Sequence, residues 1–155
     1  MVVKTLTKFF TASGNGEGNT ALTAFDAALL DSGVANTNLW RLTSILPPKC
    51  KQIKPFKLPL GALVPAVYSA KTSSTPGELI SACVAIGVPA KETNAGLIME
   101  YSHSGEKAVA EKIIRNMVKE GFNNRKWKLK KIIIASSEHK VIKTGAVCAV
   151  VVLWD

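Results

Sequence analysis

The apolar and polar positions change period several times along the chain, and each change marks an element. Residues 4–13 read as a first strand, and "SGNGEGN" follows as a glycine-rich loop. Asn19 or Thr20 then caps a helix that runs to about Ser32 and is closed by Gly33. Inside it Leu22, Phe25, Asp26 and Leu29 fall at i, i+3, i+4 and i+7, the spacing of a buried helical stripe. Residues 37–44 form a strand, and a Pro-rich loop runs on to about Pro59. Residues 64–70 and 79–88 are strands joined by "STPGE", and "GLIMEYS" is a strand apolar enough to be buried on both faces. Ser102 or Ser104 caps a second helix ending near Gly121, with Ala110, Ile113, Ile114 and Met117 on one face. Residues 127–138 and 145–154 close the chain as strands. There is no long linker and no internal repeat. The order predicts an α+β layered sandwich of one domain, with helices covering a mainly antiparallel sheet system.

Composition narrows the class. A chain of 155 residues, 47% of them apolar, suits one domain with a sizeable core. No apolar run approaches the roughly 20 residues that span a bilayer, and "MVVKTLTKFF" has no signal-peptide h-region, so no membrane partner is expected and the cytoplasm is the default location. Cys50, Cys83 and Cys148 are odd in number and far apart, and with His103 and His139 they form no close ligand pair. Neither a disulfide framework nor a metal site is expected. The glycine-rich segment has Asn19 where the last glycine of G-x-G-x-x-G should stand, which weakens a dinucleotide site. The formal charge of +9 admits a nucleic-acid partner. In "NNRKWKLKK", however, Lys126, Lys128 and Lys130 alternate with Trp127 and Leu129, the period of a half-exposed strand with its lysines in water.

Several polar residues stand in apolar places. Asp26 interrupts the helical stripe; it reads either as half of an internal ion pair, for instance with Arg41, or as a pocket carboxylate for a cationic ligand. Glu100 follows Leu97-Ile98-Met99; desolvation there would favour its protonated form and suit it to general acid work, whereas a sheet edge or an ion pair would account for it without chemistry. Asn38 opens a strand six residues before Ser44, about 20 Å away if the strand is straight, so both serve one site only if the chain bends or a second subunit contributes. In "RLTSILPPK", Thr43 and Ser44 place two hydroxyls just before Pro47-Pro48, where neither a strand nor a turn requires them.

The stretches "NTALTAFDAALLDSGVANTNLWRLTSILPP", "LPLGALVPAVY", "PGELISACVAIGVP", "GLIMEYS" and "AVCAVVVLW" together resemble the pyruvoyl-dependent arginine decarboxylases, from about residue 18 to 154. The resemblance implies a four-layer αββα sandwich, assembled as a homotrimer or a dimer of trimers with active sites between subunits. It implies self-cleavage at Thr43-Ser44 into fragments 1–43 and 44–155. The Ser44 hydroxyl attacks the Thr43 carbonyl, the ester breaks by β-elimination, and the dehydroalanine left at position 44 hydrolyses to a pyruvoyl group with loss of ammonia. That chemistry needs the hydroxyl of Ser44 but not that of Thr43, whose β-branching bears only on rate. The pyruvoyl is then the covalent cofactor, with no metal, and L-arginine is decarboxylated to agmatine and carbon dioxide for polyamine synthesis. By the same resemblance Glu100 matches the acid that protonates the product carbon. Asn38 matches a residue supporting self-processing or the active site, and Asp26 the carboxylate that grips the guanidinium. The alternatives are the same chemistry on another amino acid, a nucleic-acid-binding module using residues 124–131, or an unprocessed assembly subunit.

Overall fold

The computed structural model describes residues 4–155. In chain order it forms β1 (Lys8–Glu17), α1 (Ala21–Ser32), β2 (Asn38–Arg41), β3 (Ile45–Leu46), β4 (Lys51–Gln52), β5 (Leu63–Ser73), β6 (Leu79–Pro89), β7 (Gly96–Ser104), α2 (Lys107–Asn124), β8 (Leu129–Lys140) and β9 (Gly145–Trp154). One sheet has the order β2-β5-β9-β1-β4 and the other β3-β7-β6-β8. Only β1–β4 and β2–β5 pair parallel; the other ladders are antiparallel.

Continuous apolar runs become the strands covered on both faces. β9 is buried from Gly145 to Leu153, and β6 is buried almost throughout. Phe9, Val67, Val151 and Leu153 of the first sheet meet Val84, Ile86 and Ile98 of the second, forming the core between sheets. On the outside, α2 lays Ala110, Ile114, Val118 and Phe122 on Cys83, Ala85 and Leu97. α1 lays Ala24 and Ala28 on Ala146 and Cys148 of the other sheet. The layers are therefore α, β, β, α, as the resemblance implies. Where α1 ends, Leu58 and Phe56 of the Pro-rich segment cover the rest of that sheet, Phe56 lying edge-on to Phe10 and Trp154.

Several local expectations need correction. "SGNGEGN" is not a loop: β1 continues to Glu17, paired with Gly145. Its glycines recur with the strand's period of two because α1 lies directly on them. A Cβ on Gly16 would stand 2.6 Å from the Ala27 Cβ, and one on Gly14 would meet the backbone of Ala28 and Ser32. This close approach also turns the helix. Its buried positions are the small Ala24 and Ala28, while Leu22 and Asp26 face outward, so Asp26 does not lie on a buried stripe. Thr20 caps α1 through a capping box with Thr23, and Gly33 closes it at φ 84°. Neither Ser102 nor Ser104 caps α2. Its cap residue is Glu106, without a side-chain bond, and the Lys107 N–H donates at 2.7 Å to Glu138 of β8. The lysine alternation holds in exposure but not as a strand: Lys126, Lys128 and Lys130 are exposed and Trp127 and Leu129 pack beside Phe122, yet β8 begins only at Leu129 and Lys126 sits at φ 56° in the turn that follows α2. Among the described residues no helix is long and apolar enough to cross a membrane.

Candidate active site

Residues 42–44 carry the chain from one sheet to the other, since β2 belongs to the first and β3 to the second. The crossing is pinned at both ends. The Leu42 N–H donates at 2.8 Å to the Ala66 carbonyl on β5, and the Ile98 N–H on β7 donates at 2.7 Å to the Ser44 carbonyl. The strand expected over 37–44 stops at Arg41 because the chain must leave its sheet there. The Thr43–Ser44 peptide thus lies between two anchors and outside both ladders. It opens on a cavity of about 530 Å³ lined by Arg41, Thr43, Ser44, Ile98, Glu100 and Met117, among others.

β7 brings Glu100 to this cavity. Ile98 faces the core between sheets, so Glu100, two residues on, points to the same side, while Leu97, Met99 and Tyr101 face α2. Glu100 is not buried on both faces: its side chain is 38% exposed. β3 has two residues and pairs only with Leu97 and Gly96, so β7 is an edge strand from Glu100 onward. The carboxylate is held there by an ion pair. Nη2 of Arg41 lies 2.8 Å from each Glu100 oxygen and also donates to the Tyr68 carbonyl at 3.0 Å. The hydrogen bond to Glu100 pushes the Arg41 pKa up, beyond its already high ordinary value. The Arg41 guanidinium carbon lies 4.5 Å from the centroid of the Tyr68 ring, and Tyr68 stacks on Phe25 of α1 with ring centres 6.3 Å apart. A row of side chains, Phe25, Tyr68, Arg41 and Glu100, therefore runs from α1 to the junction.

Of the residues marked by sequence, the fold brings Thr43, Ser44 and Glu100 together. Asn38 is not with them; its side-chain amide donates to the Gly61 carbonyl at 3.0 Å at the start of β2. Asp26 is exposed on α1 and lines none of the cavities around Arg41 and Glu100. Its suggested partner Arg41 is taken by Glu100. Sequence reasoning missed Arg41, Tyr68 and Met117 as site residues. For Arg41 a signal existed: it stands at i−2 from Thr43, on the same side of an extended chain. Tyr68 carried none, being one more strand residue in "LVPAVYSAK".

No thiol competes for the chemistry. Burial pushes Cys83 up to about 12, and burial followed by the Asp155 carboxylate pushes Cys50 up to about 11. Among the described residues no cluster of His, Cys, Asp and Glu could hold a metal ion.

The family model described as pyruvoyl-dependent arginine decarboxylase matches residues 8–154. The chain belongs to the pyruvoyl-dependent arginine decarboxylase family. Proteins named pyruvoyl-dependent arginine decarboxylase are similar to it along nearly their whole length. That of Methanocaldococcus jannaschii is 45% identical over 142 residues, covering 92% of this chain and 86% of its own. That of Thermococcus kodakarensis is 42% identical over 147 residues, covering 94% and 93%. That of Pyrococcus furiosus is 43% identical over 141 residues, covering 89% of each. A pyruvoyl-dependent arginine decarboxylase carries its cofactor in its own chain, and the residues here fit such a group. Ser44 supplies the β-hydroxyl, its peptide to Thr43 is outside both ladders, and the cavity beyond it has apolar walls in Ile98 and Met117 and a carboxylate in Glu100.

Proposed function

We propose that this protein cleaves itself between Thr43 and Ser44, and that the processed enzyme decarboxylates L-arginine to agmatine and carbon dioxide. The observation that carries the reading is the placement of the Thr43–Ser44 peptide at the sheet crossing, facing Glu100 across one cavity. A pyruvoyl group at position 44 supplies the ketone that takes up the substrate's α-amine and draws in the electrons of the breaking carbon–carbon bond. Glu100 returns the proton to the product carbon. Ile98 and Met117 give that carbon an apolar wall. Asn38 supports self-processing or the active site, and Asp26 grips the substrate guanidinium as a charge-assisted acceptor.

Asn38 and Asp26 do these jobs from a neighbouring subunit of a homotrimer. Large apolar side chains accompany both. Leu22, 75% exposed, lies one helical turn from Asp26. Leu63, 69% exposed, is the ladder partner of Asn38, and Trp40, 57% exposed, lies two residues along β2. Such a surface suits a partner subunit. The assembly is a trimer or a dimer of trimers, and its location is the cytoplasm. Intact-mass analysis tests the reading: it gives chains 1–43 and 44–155, the larger with a blocked N-terminus, and Ser44→Ala stays a single chain. Wild-type protein that remains single after long incubation at its working temperature overturns it.

A further inference from the structure

Arg41 and its partners fall on opposite sides of the proposed cut. Arg41 is two residues from the end of fragment 1–43, whereas Glu100 and Tyr68 belong to fragment 44–155. Cleavage changes the charge beside it. The bond from the Thr43 carbonyl carbon to the Ser44 nitrogen is replaced by one to the serine oxygen, and β-elimination then breaks that oxygen from the Ser44 Cβ. Hydrolysis consumes one water and releases the nitrogen as ammonia. A neutral peptide thus becomes a carboxylate on Thr43, on the rim of the cavity that Arg41 already lines.

The grip of Arg41 on Glu100 leaves room for a second acceptor. All its polar contacts run through one nitrogen, Nη2, which serves both Glu100 oxygens and the Tyr68 carbonyl. Among the described residues Nε and Nη1 make no hydrogen bond, so the two-nitrogen fork that suits guanidinium and carboxylate is not formed. The pair is also open to solvent, at 54% and 38% exposure, where such contacts are weak. Arg41 and Thr43 are two residues apart and line the same cavity, which brings the Thr43 terminus within reach of those free donors. Tyr68, under the guanidinium, is a platform on which it can turn.

We infer that cleavage transfers the Arg41 guanidinium from Glu100 to the new Thr43 carboxylate, making Arg41 a positioning residue that covers Glu100 before processing and releases it afterwards. The inference rests on the proposed self-cleavage. The exchange also neutralises the Thr43 carboxylate, which would otherwise repel the α-carboxylate that the substrate brings to position 44.

Crystal structures of the uncleaved Ser44→Ala protein and of processed wild type test the exchange. The uncleaved protein keeps Arg41 on Glu100. In the processed protein Arg41 is within hydrogen-bond distance of a Thr43 terminal oxygen and more than about 4 Å from Glu100. The second test is kinetic, on Arg41→Gln purified in its cleaved form. Leaving the Thr43 charge uncovered raises KM for arginine about tenfold, an effect of one modest repulsion, with kcat held within about twofold. Arg41→Lys, which keeps the charge, restores most of KM. An Arg41–Glu100 contact unchanged in the processed structure, or a loss in kcat with KM held, overturns the exchange and leaves self-cleavage standing. A wild-type chain that never cleaves overturns both.

Discussion

Glu100 and Asp26 are both carboxylates that the sequence set among apolar neighbours, and the fold treats them differently. Glu100 ends up at a sheet edge with a cation on it; Asp26 ends up in solvent. The ion-pair reading therefore describes Glu100 rather than Asp26. Replacing Glu100 by Gln should leave the fold and cleavage intact while lowering kcat by about 10²–10⁴-fold, the usual cost of removing a general acid; steady-state kinetics on the fully processed variant measure this. Asp26→Asn tests the guanidinium grip. Losing one partner of a desolvated charge pair should cost about 2–5 kcal/mol in binding and narrow the preference for arginine over uncharged citrulline. Because Asp26 is exposed and unpaired among the described residues of its own chain, the melting temperature of the isolated protomer should barely move. A ratio of kcat/KM for arginine and citrulline that stays at the wild-type value would remove Asp26 from the substrate site.

At the scale of elements, what periodicity encodes was legible and what close approach encodes was not. The apolar runs of β6, β7 and β9 and the caps of α1 at Thr20 and Gly33 follow from local rules. The glycines of β1 looked like a loop because a strand gains nothing locally from Gly; their reason is a helix that arrives on top of them. The α2 cap was equally hidden, since Glu138 comes from another element. A side chain at Gly16 tests the docking: Gly16→Val should destabilise by about 1–3 kcal/mol, the range for an overfilled contact, in denaturant titration. The connection from β8 to β9 makes a second test. Glu17 accepts N–H bonds from Ile142, Lys143 and Thr144 and lies 2.6 Å from His139 Nε2. Burial pushes its pKa up, but these donors outweigh it and bring the carboxyl from 4.5 down to about 2. A depressed carboxyl stabilises fully above its unfolded value and loses that effect as pH falls through its folded one. Melting temperature should therefore drop between about pH 4.5 and pH 2 more steeply for wild type than for Glu17→Gln.

For the whole molecule, the four layers were readable once the family resemblance supplied the layer order, while the division of strands between the two sheets came from the structure; element order alone gave only helices over antiparallel sheets. The site was readable in part: Ser44 and Glu100 meet within one protomer, whereas Asp26 and Asn38 do not. Their proposed roles rest on a neighbouring subunit, which the sequence of one chain does not display. The crossing at residues 42–44 has one more consequence, which concerns the order of the folding reaction. Fragment 1–43 holds β1, α1 and β2, and β1 lies inside its sheet between β9 and β4. A cut at the crossing leaves every ladder in place, so the processed protomer holds together without a covalent link. Its protomer core forms as one chain but, once denatured, must reassemble from two. Refolding of that core becomes bimolecular after processing and unimolecular in Ser44→Ala. The recovered fraction of native protomer core, followed by near-ultraviolet circular dichroism before any subunits associate, should fall on dilution for the processed protein alone.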